Sequence, residues 1–215
     1  MAQAKGDRTR AQIIEGAIRC LAETGVIGAT TRKIATESGV QLATLHYHFD
    51  SKSAILLAVL ESLINEMTLS LRGQVKSGAD LDECIDQVVR AGWRVLMQAR
   101  ALQVVQYELT LYAFREGANW LAERQYDAYV QLYLDFLRSV PETEIVLSLD
   151  DCRAIARFML AGIDGLLLQE LAKPNRARSK RGIEALIGAT QQYARALRGA
   201  QGDDNVAKRW AAQSA

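Results

Sequence analysis

The apolar residues of this chain recur with the period of an amphipathic helix along most of its length. From about Arg8 to Glu23 they fall on one stripe, and Gly25 stands just past its end, where a glycine commonly stops a helix. The two prolines, Pro141 and Pro174, fall in polar connections, so the periodic segments contain no helix breaker. No strand-like alternation flanked by Asn-Gly or Asp-Gly turns occurs. The pattern predicts an all-α fold of about nine helices.

Two short helices are predicted after the first one. Thr30 or Thr31 can cap a helix from Arg32 to Ser38, and Gly39 supplies a tight turn before a third helix from about Gln41 to His46. Helices this short are not stable alone because nucleation is costly, so they must pack on the first helix. We expect the packing contacts to come from the apolar residues Ile34, Ala35, Val40 and Leu45.

Longer helices follow the short ones. Asp50 or Ser51 is placed to cap a long fourth helix, and Asp80 with Glu83 forms the acidic variant of a capping box before the next helix. The end of the chain is polar and rich in small residues, which predicts a flexible tail at 201–215. The other periodic segments run over about 100–114, 120–138, 148–171 and 180–197.

Composition and charge are those of a folded soluble protein. Hydrophobic residues make up 49% of the 215 residues and charged residues 24%, a balance that supplies a substantial core. The apolar segment from Phe158 to Gln169 is interrupted by Asp164. The segment from Met1 to Arg10 is polar. Neither a membrane span nor an export signal is therefore expected. The net charge of +1 gives no global positive field that would indicate a nucleic-acid partner.

The residues that commonly carry catalysis or bind metals form no recognisable site. Cys20, Cys84 and Cys152 are widely spaced and form no CxxC pair, so we expect free buried thiols in a reducing, cytoplasmic compartment. His46 and His48 are two positions apart, so on a helix they point to different faces, and no metal site or cofactor is expected. No HExxH, GxSxG or phosphate-loop motif is present, so the sequence predicts no enzyme.

The order of helix, tight turn and short polar helix is that of a helix-turn-helix, whose second helix reads base edges in the major groove. The run from Thr30 to Lys52, TTRKIATESGVQLATLHYHFDSK, closely resembles the DNA-binding signature of the TetR family of bacterial repressors. The resemblance covers about residues 8–60, and Ile163-Asp164-Gly165-Leu166 is weakly similar to the BetI-like branch. It implies an N-terminal three-helix domain joined by a long helix to a C-terminal helical bundle that binds a ligand.

Each candidate DNA-binding position has its own physical role. Thr31 and Lys52 stand at helix starts, where a hydroxyl and an ammonium group can bind phosphate. Gln41 can bond adenine, and the methyl group of Thr44 can contact a thymine methyl. Leu45 and Phe49 should pack inward, as the core support of this face. The full set of candidates is Thr31, Arg32, Gln41, Leu42, Ala43, Thr44, His46, Tyr47, His48 and Lys52.

Three of these positions depart from the family pattern. Gln41 stands where a capping serine is common, Ala43 where a glycine is common, and His46 where a tyrosine is usual. We expect an altered operator preference rather than a loss of binding. Taken singly, the threonines and Ser51 would also cap helices in any helical protein, and Lys52 could be a solvated charge.

A repressor of this kind needs an effector site, and the later helices carry most of the aromatic residues. Such residues could line a cavity for an apolar or aromatic small molecule, or could simply form the core. A buried Glu108 or Asp164 would attract a cationic group, because an unpaired buried charge is costly. The candidate effector-binding residues are Trp93, Met97, Tyr107, Glu108, Leu111, Trp120, Tyr126, Tyr129, Phe158 and Asp164.

The last two predicted helices have wide apolar faces that suit a dimer interface. Two helices from each subunit would form a four-helix interface around a two-fold axis, although the same faces could instead close the core of a monomer. The candidate dimerisation residues are Phe158, Gly162, Leu166, Leu186, Thr190 and Tyr193.

These patterns divide the chain by function. We expect a helix-turn-helix DNA-binding domain at 1–52, an effector-binding and dimerisation bundle at 53–200, and the tail at 201–215. The expected protein is a dimeric, ligand-responsive repressor that binds a pseudo-palindromic operator in double-stranded DNA. The alternative is a DNA-binding regulator without a small-molecule effector.

Overall fold

The fold is all-α, as the sequence predicts. The computed structural model describes residues 2–76, 80–141 and 147–213, with the side chains of 2, 3, 5 and 200–213 left out. Within those ranges the chain forms helices and no strand. The helices are α1 (Ala2–Gly28), α2 (Thr31–Glu37), α3 (Leu42–His48), α4 (Lys52–Arg72), α5 (Leu81–Gln98), α6 (Arg100–Arg115), α7 (Asn119–Arg138), α8 (Leu149–Ala172) and α9 (Arg176–Gln213).

The helices fall into two compact units. The first unit comprises Met1–Leu69 and Gln98–Asp127, and the second comprises Ser70–Met97 and Ala128–Ala215. All of residues 1–52 therefore lie in the first unit, together with α6 and parts of α4 and α7. The functional division at residue 52 stays a prediction.

Local capping explains why several helices begin where they do. The side chain of Thr30 accepts a hydrogen bond from the backbone N–H of Lys33 at 3.2 Å, so Thr30 rather than Thr31 caps α2. Asp80 accepts from the N–H of Glu83 at 2.8 Å before α5. A full capping box between Ser148 and Asp151 opens α8. Each such cap satisfies backbone donors that the first turn of a helix leaves without partners.

The break at Gly25 agrees with the sequence-based expectation, whereas the end of the last helix differs from it. Gly25 leaves the helical conformation, with φ 68° and ψ 172°, so α1 consists of two helical segments that meet at a kink. Glycine adopts this conformation without the steric cost that a Cβ atom would bring. At the other end, α9 continues to Gln213, so the residues predicted as a flexible tail include part of the last helix. The flexibility of 201–215 stays a prediction.

The core of the first unit holds the short helices on α1. Leu45 and Ile34 are fully buried and Phe49 is 3% exposed, which confirms that α2 and α3 pack inward through these residues. A Cβ atom at Gly16 would lie 2.1 Å from Oγ and 2.6 Å from Cα of Ser38, so only glycine allows α1 to approach this closely. Gly39 has φ 65° and forms the tight turn between α2 and α3.

Among the described residues, one helix is apolar and long enough to cross a membrane by length and composition alone. It is α4, with a mean hydropathy of 1.6, and not the segment Phe158–Gln169. Ile55, Leu56 and Leu60 of α4 are fully buried in the core of the first unit. Burial of this kind is what the core helix of a folded domain requires.

The α8–α9 pair in the second unit uses several residues that the sequence assigns to a dimer interface. A Cβ atom at Gly162 would lie 2.3 Å from Cδ1 of Leu186, and one at Gly182 would lie 2.5 Å from Cδ2 of Leu166. Thr190 is fully buried and its hydroxyl donates to the carbonyl of Leu186 at 2.7 Å. Thr190 and Leu186 are therefore buried within the chain itself, and their assignment to a dimer interface stays a prediction.

The three cysteines are free and buried, as expected. Cys20 lies in the first unit, whereas Cys84 and Cys152 lie in the second. The thiol of Cys84 donates to the carbonyl of Phe136 at 3.5 Å, and burial raises its pKa to about 11. Burial also raises the pKa of Cys152.

Candidate DNA-binding face and ligand cavity

The outer face of α3 presents most of the predicted base-reading residues. Gln41, Ala43 and His46 are exposed, and Tyr47 is 84% exposed. The side chain of Gln41 makes no capping hydrogen bond, so its amide is not used by the helix that it precedes. Because Leu45 on the opposite face is fully buried, α3 separates a core side from a solvent side within two turns.

Other predicted DNA-binding residues are only partly exposed. Leu42 is half-buried and packs against the core of the first unit, and Thr44 is half-buried. The rings of Tyr47 and His48 meet edge to face, with centroids 5.2 Å apart. On α2, Arg32 is exposed and Thr31 is half-buried. Most of the predicted DNA-binding side chains are thus accessible to the backbone or a groove of DNA. Their role in DNA binding remains a prediction.

The turn between α2 and α3 is held by polar contacts that the sequence did not reveal. The Gln12 amide donates to the backbone carbonyl of Ser38 at 2.7 Å, and the Ser38 hydroxyl donates to the carbonyl of Ile34 at 2.6 Å. Arg19 forms an ion pair with Glu37 at 3.2 Å. Such contacts fix the angle at which α3 is presented.

Lys52 forms a hydrogen bond within the protein and is therefore more than a solvated charge at the surface. Its Nζ atom donates to the carbonyl oxygen of Val26 at 2.6 Å and lies 5.3 Å from the ring centre of Tyr112. Burial lowers the pKa of Lys52, while the charge of Glu116 acts in the opposite direction. The ammonium group thus ties the start of α4 to the end of α1, and phosphate binding by Lys52 remains a prediction.

A cavity of about 250 Å³ lies in the first unit, between the end of α1 and α6. One carboxylate oxygen of Glu108 accepts a hydrogen bond from the backbone N–H of Val26 at 2.9 Å. A Cβ atom at Gly25 would lie 3.0 Å from the same oxygen, so the glycine leaves room for this carboxylate. The cavity is lined by Thr24, Gly25, Val26, Ile27, Glu108, Leu111, Tyr112, Arg115 and Glu116.

The structure brings only part of the predicted effector set together. Glu108 and Leu111 line this cavity. The first unit contains Tyr107, Glu108, Leu111, Trp120 and Tyr126, and the second contains Trp93, Met97, Tyr129, Phe158 and Asp164.

Two of the predicted effector-binding residues in the second unit, Tyr129 and Phe158, have defined environments within that unit. Tyr129 is 7% exposed, and the ring of Phe158 contacts that of Tyr193 with centroids 5.5 Å apart. Tyr133, which the set omits, is fully buried, and burial raises its pKa with a further contribution from the charge of Asp164. Their role in ligand binding stays a prediction.

Six cavity residues are not predicted from the sequence, whereas Tyr112 is one of the aromatic residues of the later helices that could line a cavity. The one local signal is the apolar pair Val26-Ile27 directly after Gly25, where a polar loop would be usual. Nothing in the sequence places this pair against α6. The six are Thr24, Gly25, Val26, Ile27, Arg115 and Glu116.

No group of three or more histidine, cysteine, aspartate or glutamate side chains suited to a metal ion occurs among the described residues.

Comparisons with known proteins identify the family. Residues 13–59 match the family model of the bacterial regulatory proteins of the tetR family. The chain is 24% identical over 185 residues to the nicotine-responsive transcriptional repressor HdnoR of Paenarthrobacter nicotinovorans, covering 84% of this chain and 92% of that protein. It is 26% identical over 196 residues to the transcriptional regulator BetI of Rhizobium meliloti, covering 90% and 91%.

A solved structure shows the same fold over most of the chain. A transcriptional regulator from Pseudomonas aeruginosa PAO1 superposes with a TM-score of 0.68 at 21% identity, covering 90% of this chain and 91% of that one. The family match falls on the segment that builds α2 and α3, and the similarity to curated regulators extends across both units. Residues 13–59 therefore belong to the tetR family of bacterial regulatory proteins, and the relatives that match most of the chain are transcriptional regulators.

Proposed function

We propose that the protein is a dimeric, ligand-responsive repressor that binds a pseudo-palindromic operator and releases it when a small effector binds. The observation that carries the proposal is the outer face of α3, where Gln41, Ala43, His46 and Tyr47 are exposed above a fully buried Leu45. A rigid helix with polar residues on its accessible face is what direct readout of a major groove requires. In a dimer, two such helices would meet successive major grooves about 34–36 Å apart.

The proposed dimer uses the outer surfaces of α8 and α9. Phe158 is 41% exposed and Leu168 is 50% exposed on α8, although both are large apolar residues. Burial of such residues between two copies would remove apolar surface from water and stabilise the dimer. We expect Phe158→Glu to give a monomer in light scattering, whereas Arg176→Ala, at the exposed start of α9, should leave the dimer intact.

Effector release is proposed to act by a shift of populations. A ligand that binds one conformation better than another lowers operator affinity by the difference between those two affinities. The similarity to a repressor whose name describes it as nicotine-responsive supports ligand-dependent release. We propose an apolar or aromatic effector of small size. The second candidate is a regulator without an effector, which the exposed α3 face supports equally well.

The test is selection of genomic fragments by the purified protein at two salt concentrations. Enrichment of a pseudo-palindrome is expected for the wild type. Thr44→Ala should change the preferred base at one position of each half-site, because a base contact contributes about 1–3 kcal/mol of discrimination. Arg32→Ala should weaken binding to all fragments alike and reduce the salt dependence by about one unit of slope, as loss of a phosphate contact does.

Arg176→Ala is the matched control for Arg32→Ala, since it removes an exposed arginine far along the chain and should leave binding unchanged. Weak binding without sequence preference that disappears at the higher salt concentration would overturn the proposal.

A further inference from the structure

We propose that the cavity between the end of α1 and α6 binds a small organic amine, a single ring that bears a protonated nitrogen. The inference rests on the proposed function, because it names a chemical class of effector and a place for it within the DNA-binding unit. The residues that carry it are Val26, Ile27, Glu108, Leu111 and Tyr112.

The size of the cavity sets the size of the ligand. Its volume is about 250 Å³. An apolar cavity of about 150 Å³ can hold one benzene molecule, and pockets for drug-sized ligands span about 300–1,000 Å³. The space therefore suits one ring with a short substituent, rather than a fused polycyclic compound or a long acyl chain.

The apolar lining provides a place for the ring. Val26 is buried at the inner side, whereas Ile27 is 75% exposed and Leu111 is 53% exposed. Apolar side chains that line a concave site are the kind of surface against which an apolar ligand packs. A bound ring would cover Ile27 and Leu111 and remove their apolar surface from water.

The charges of the lining favour a cation. Glu108 and Glu116 carry two carboxylates against the single guanidinium of Arg115. Lys52 interacts with Glu116, but Glu108 forms no ion pair within the part of the chain that the structure describes. An incoming ammonium group can therefore form a charge-assisted hydrogen bond with Glu108.

Lys52 places an ammonium group beside Tyr112, one of the residues that line the cavity. Its Nζ atom lies 5.3 Å from the ring centre of Tyr112, within the range of a cation–π interaction. A benzoate-like anion would be repelled by the carboxylate of Glu108, and a neutral ring would leave the charge of Glu108 without a counter-charge. The chemistry of the lining thus separates amines from acids and from neutral analogues.

Binding at this place would act directly on the DNA-binding unit. The carboxylate of Glu108 holds the N–H of Val26, just beyond the Gly25 break in α1. A ligand ammonium group competes for the same carboxylate and weakens this tie. Since α1 supports α2 through the close contact between Gly16 and Ser38, we expect the amine to lower operator affinity.

The experiment is isothermal titration of the full-length protein with benzylamine, benzyl alcohol and benzoate. Benzylamine should bind at least about tenfold more tightly than benzyl alcohol, because only the amine forms a charge-assisted bond with Glu108. Glu108→Gln should lower benzylamine affinity by about tenfold and leave benzyl alcohol unchanged, since the amide still accepts from Val26 but carries no charge. Leu111→Trp should block all three compounds by filling the mouth of the cavity.

Glu123→Gln is the control, because it removes an exposed carboxylate of the same unit outside the cavity. Thermal melts establish that each variant is folded. Equal affinities for the amine and the alcohol, benzylamine binding that Glu108→Gln leaves intact, or no saturable benzylamine binding would each overturn the inference. Operator selection is measured separately: sequence-specific DNA binding without amine binding overturns this inference alone, whereas loss of sequence-specific DNA binding overturns the proposed function.

Discussion

Two helix pairs, α1 with α2 and α8 with α9, approach closely at a glycine, but the atoms that each glycine faces differ. A Cβ atom at Gly16 would lie 2.6 Å from Cα and 2.7 Å from the backbone nitrogen of Ser38. A Cβ atom at Gly162 would meet the methyl ends of Leu186. A backbone can move only with its whole helix, whereas a leucine can change rotamer. Gly16 therefore packs α1 against backbone atoms at the end of α2, whereas Gly162 packs α8 against an adaptable side chain of α9.

The largest expected effect follows from the backbone contact. Gly16→Ala should destabilise the protein by about 3 kcal/mol, at the upper end for overpacking, because α2 must move away from α1. Urea unfolding measures the loss, and operator binding should fall with it. Gly6→Ala is the matched control on the same helix, since a Cβ atom there has no neighbour within 4 Å. Equal stability of the two variants would remove the contrast between the helix pairs.

Gly25→Ala is expected to have the next largest effect. Its φ of 68° and ψ of 172° belong to a region that is essentially restricted to glycine, so alanine should cost about 1–3 kcal/mol. The new methyl group would also press on Glu108. Gly117→Ala provides a comparison, because Gly117 also has a positive φ of 68° but no atom lies within 4 Å of its Cβ position. A smaller loss of stability for Gly117→Ala than for Gly25→Ala in thermal melts would support a contribution from the contact with Glu108.

Gly162→Ala should cost less, about 1 kcal/mol, because Leu186 can turn its side chain away. A double-mutant cycle with Leu186→Ala checks the cause. The two changes together should destabilise less than the sum of the single changes, since the shortened side chain no longer meets the new methyl group. Simple additivity would contradict the assignment of the strain to this pair.

The smallest expected effect has the opposite sign. Gly165 lies inside α8, with no atom within 4 Å of its Cβ position in the single chain. Gly165→Ala should stabilise the helix by about 0.5–1 kcal/mol, because alanine loses less backbone freedom on folding. Unfolding and light scattering are measured on the same sample. Loss of both stability and dimer would show that a partner subunit occupies this space.

The sequence could predict those parts of the fold that depend on short-range chemistry. Asp80 caps α5, and the predicted segments 100–114 and 120–138 match α6 and α7 to within one residue, because a cap and a periodic stripe are both local signals. Gly25 was recognised as a break, but whether the chain turned away or resumed a helix depended on Glu108, far along the sequence. Local patterns do not contain that contact.

The candidate sites show the same limit. Exposure of Tyr47 and burial of Leu45 follow from the helical period, so the direction of the α3 face could be predicted. The sequence makes Glu108 a candidate because a carboxylate stands there among the apolar and aromatic residues of a later helix. Its partner Val26 could not be inferred, and neither could the hydrogen bond from Lys52 to the Val26 carbonyl. Both contacts join residues whose proximity is decided by tertiary packing.

Because the three thiols are buried, the rate at which each one reacts with a thiol reagent measures local opening of the unit that contains it. Cys20 reacts with a thiol reagent only when the first unit opens locally, and Cys84 or Cys152 only when the second does. With its pKa raised to about 11, Cys84 carries little thiolate at neutral pH, so its labelling rate counts only excursions that return it to water. A time course of labelling, resolved by peptide mass, would thus give a separate opening rate for each unit of the wild-type protein.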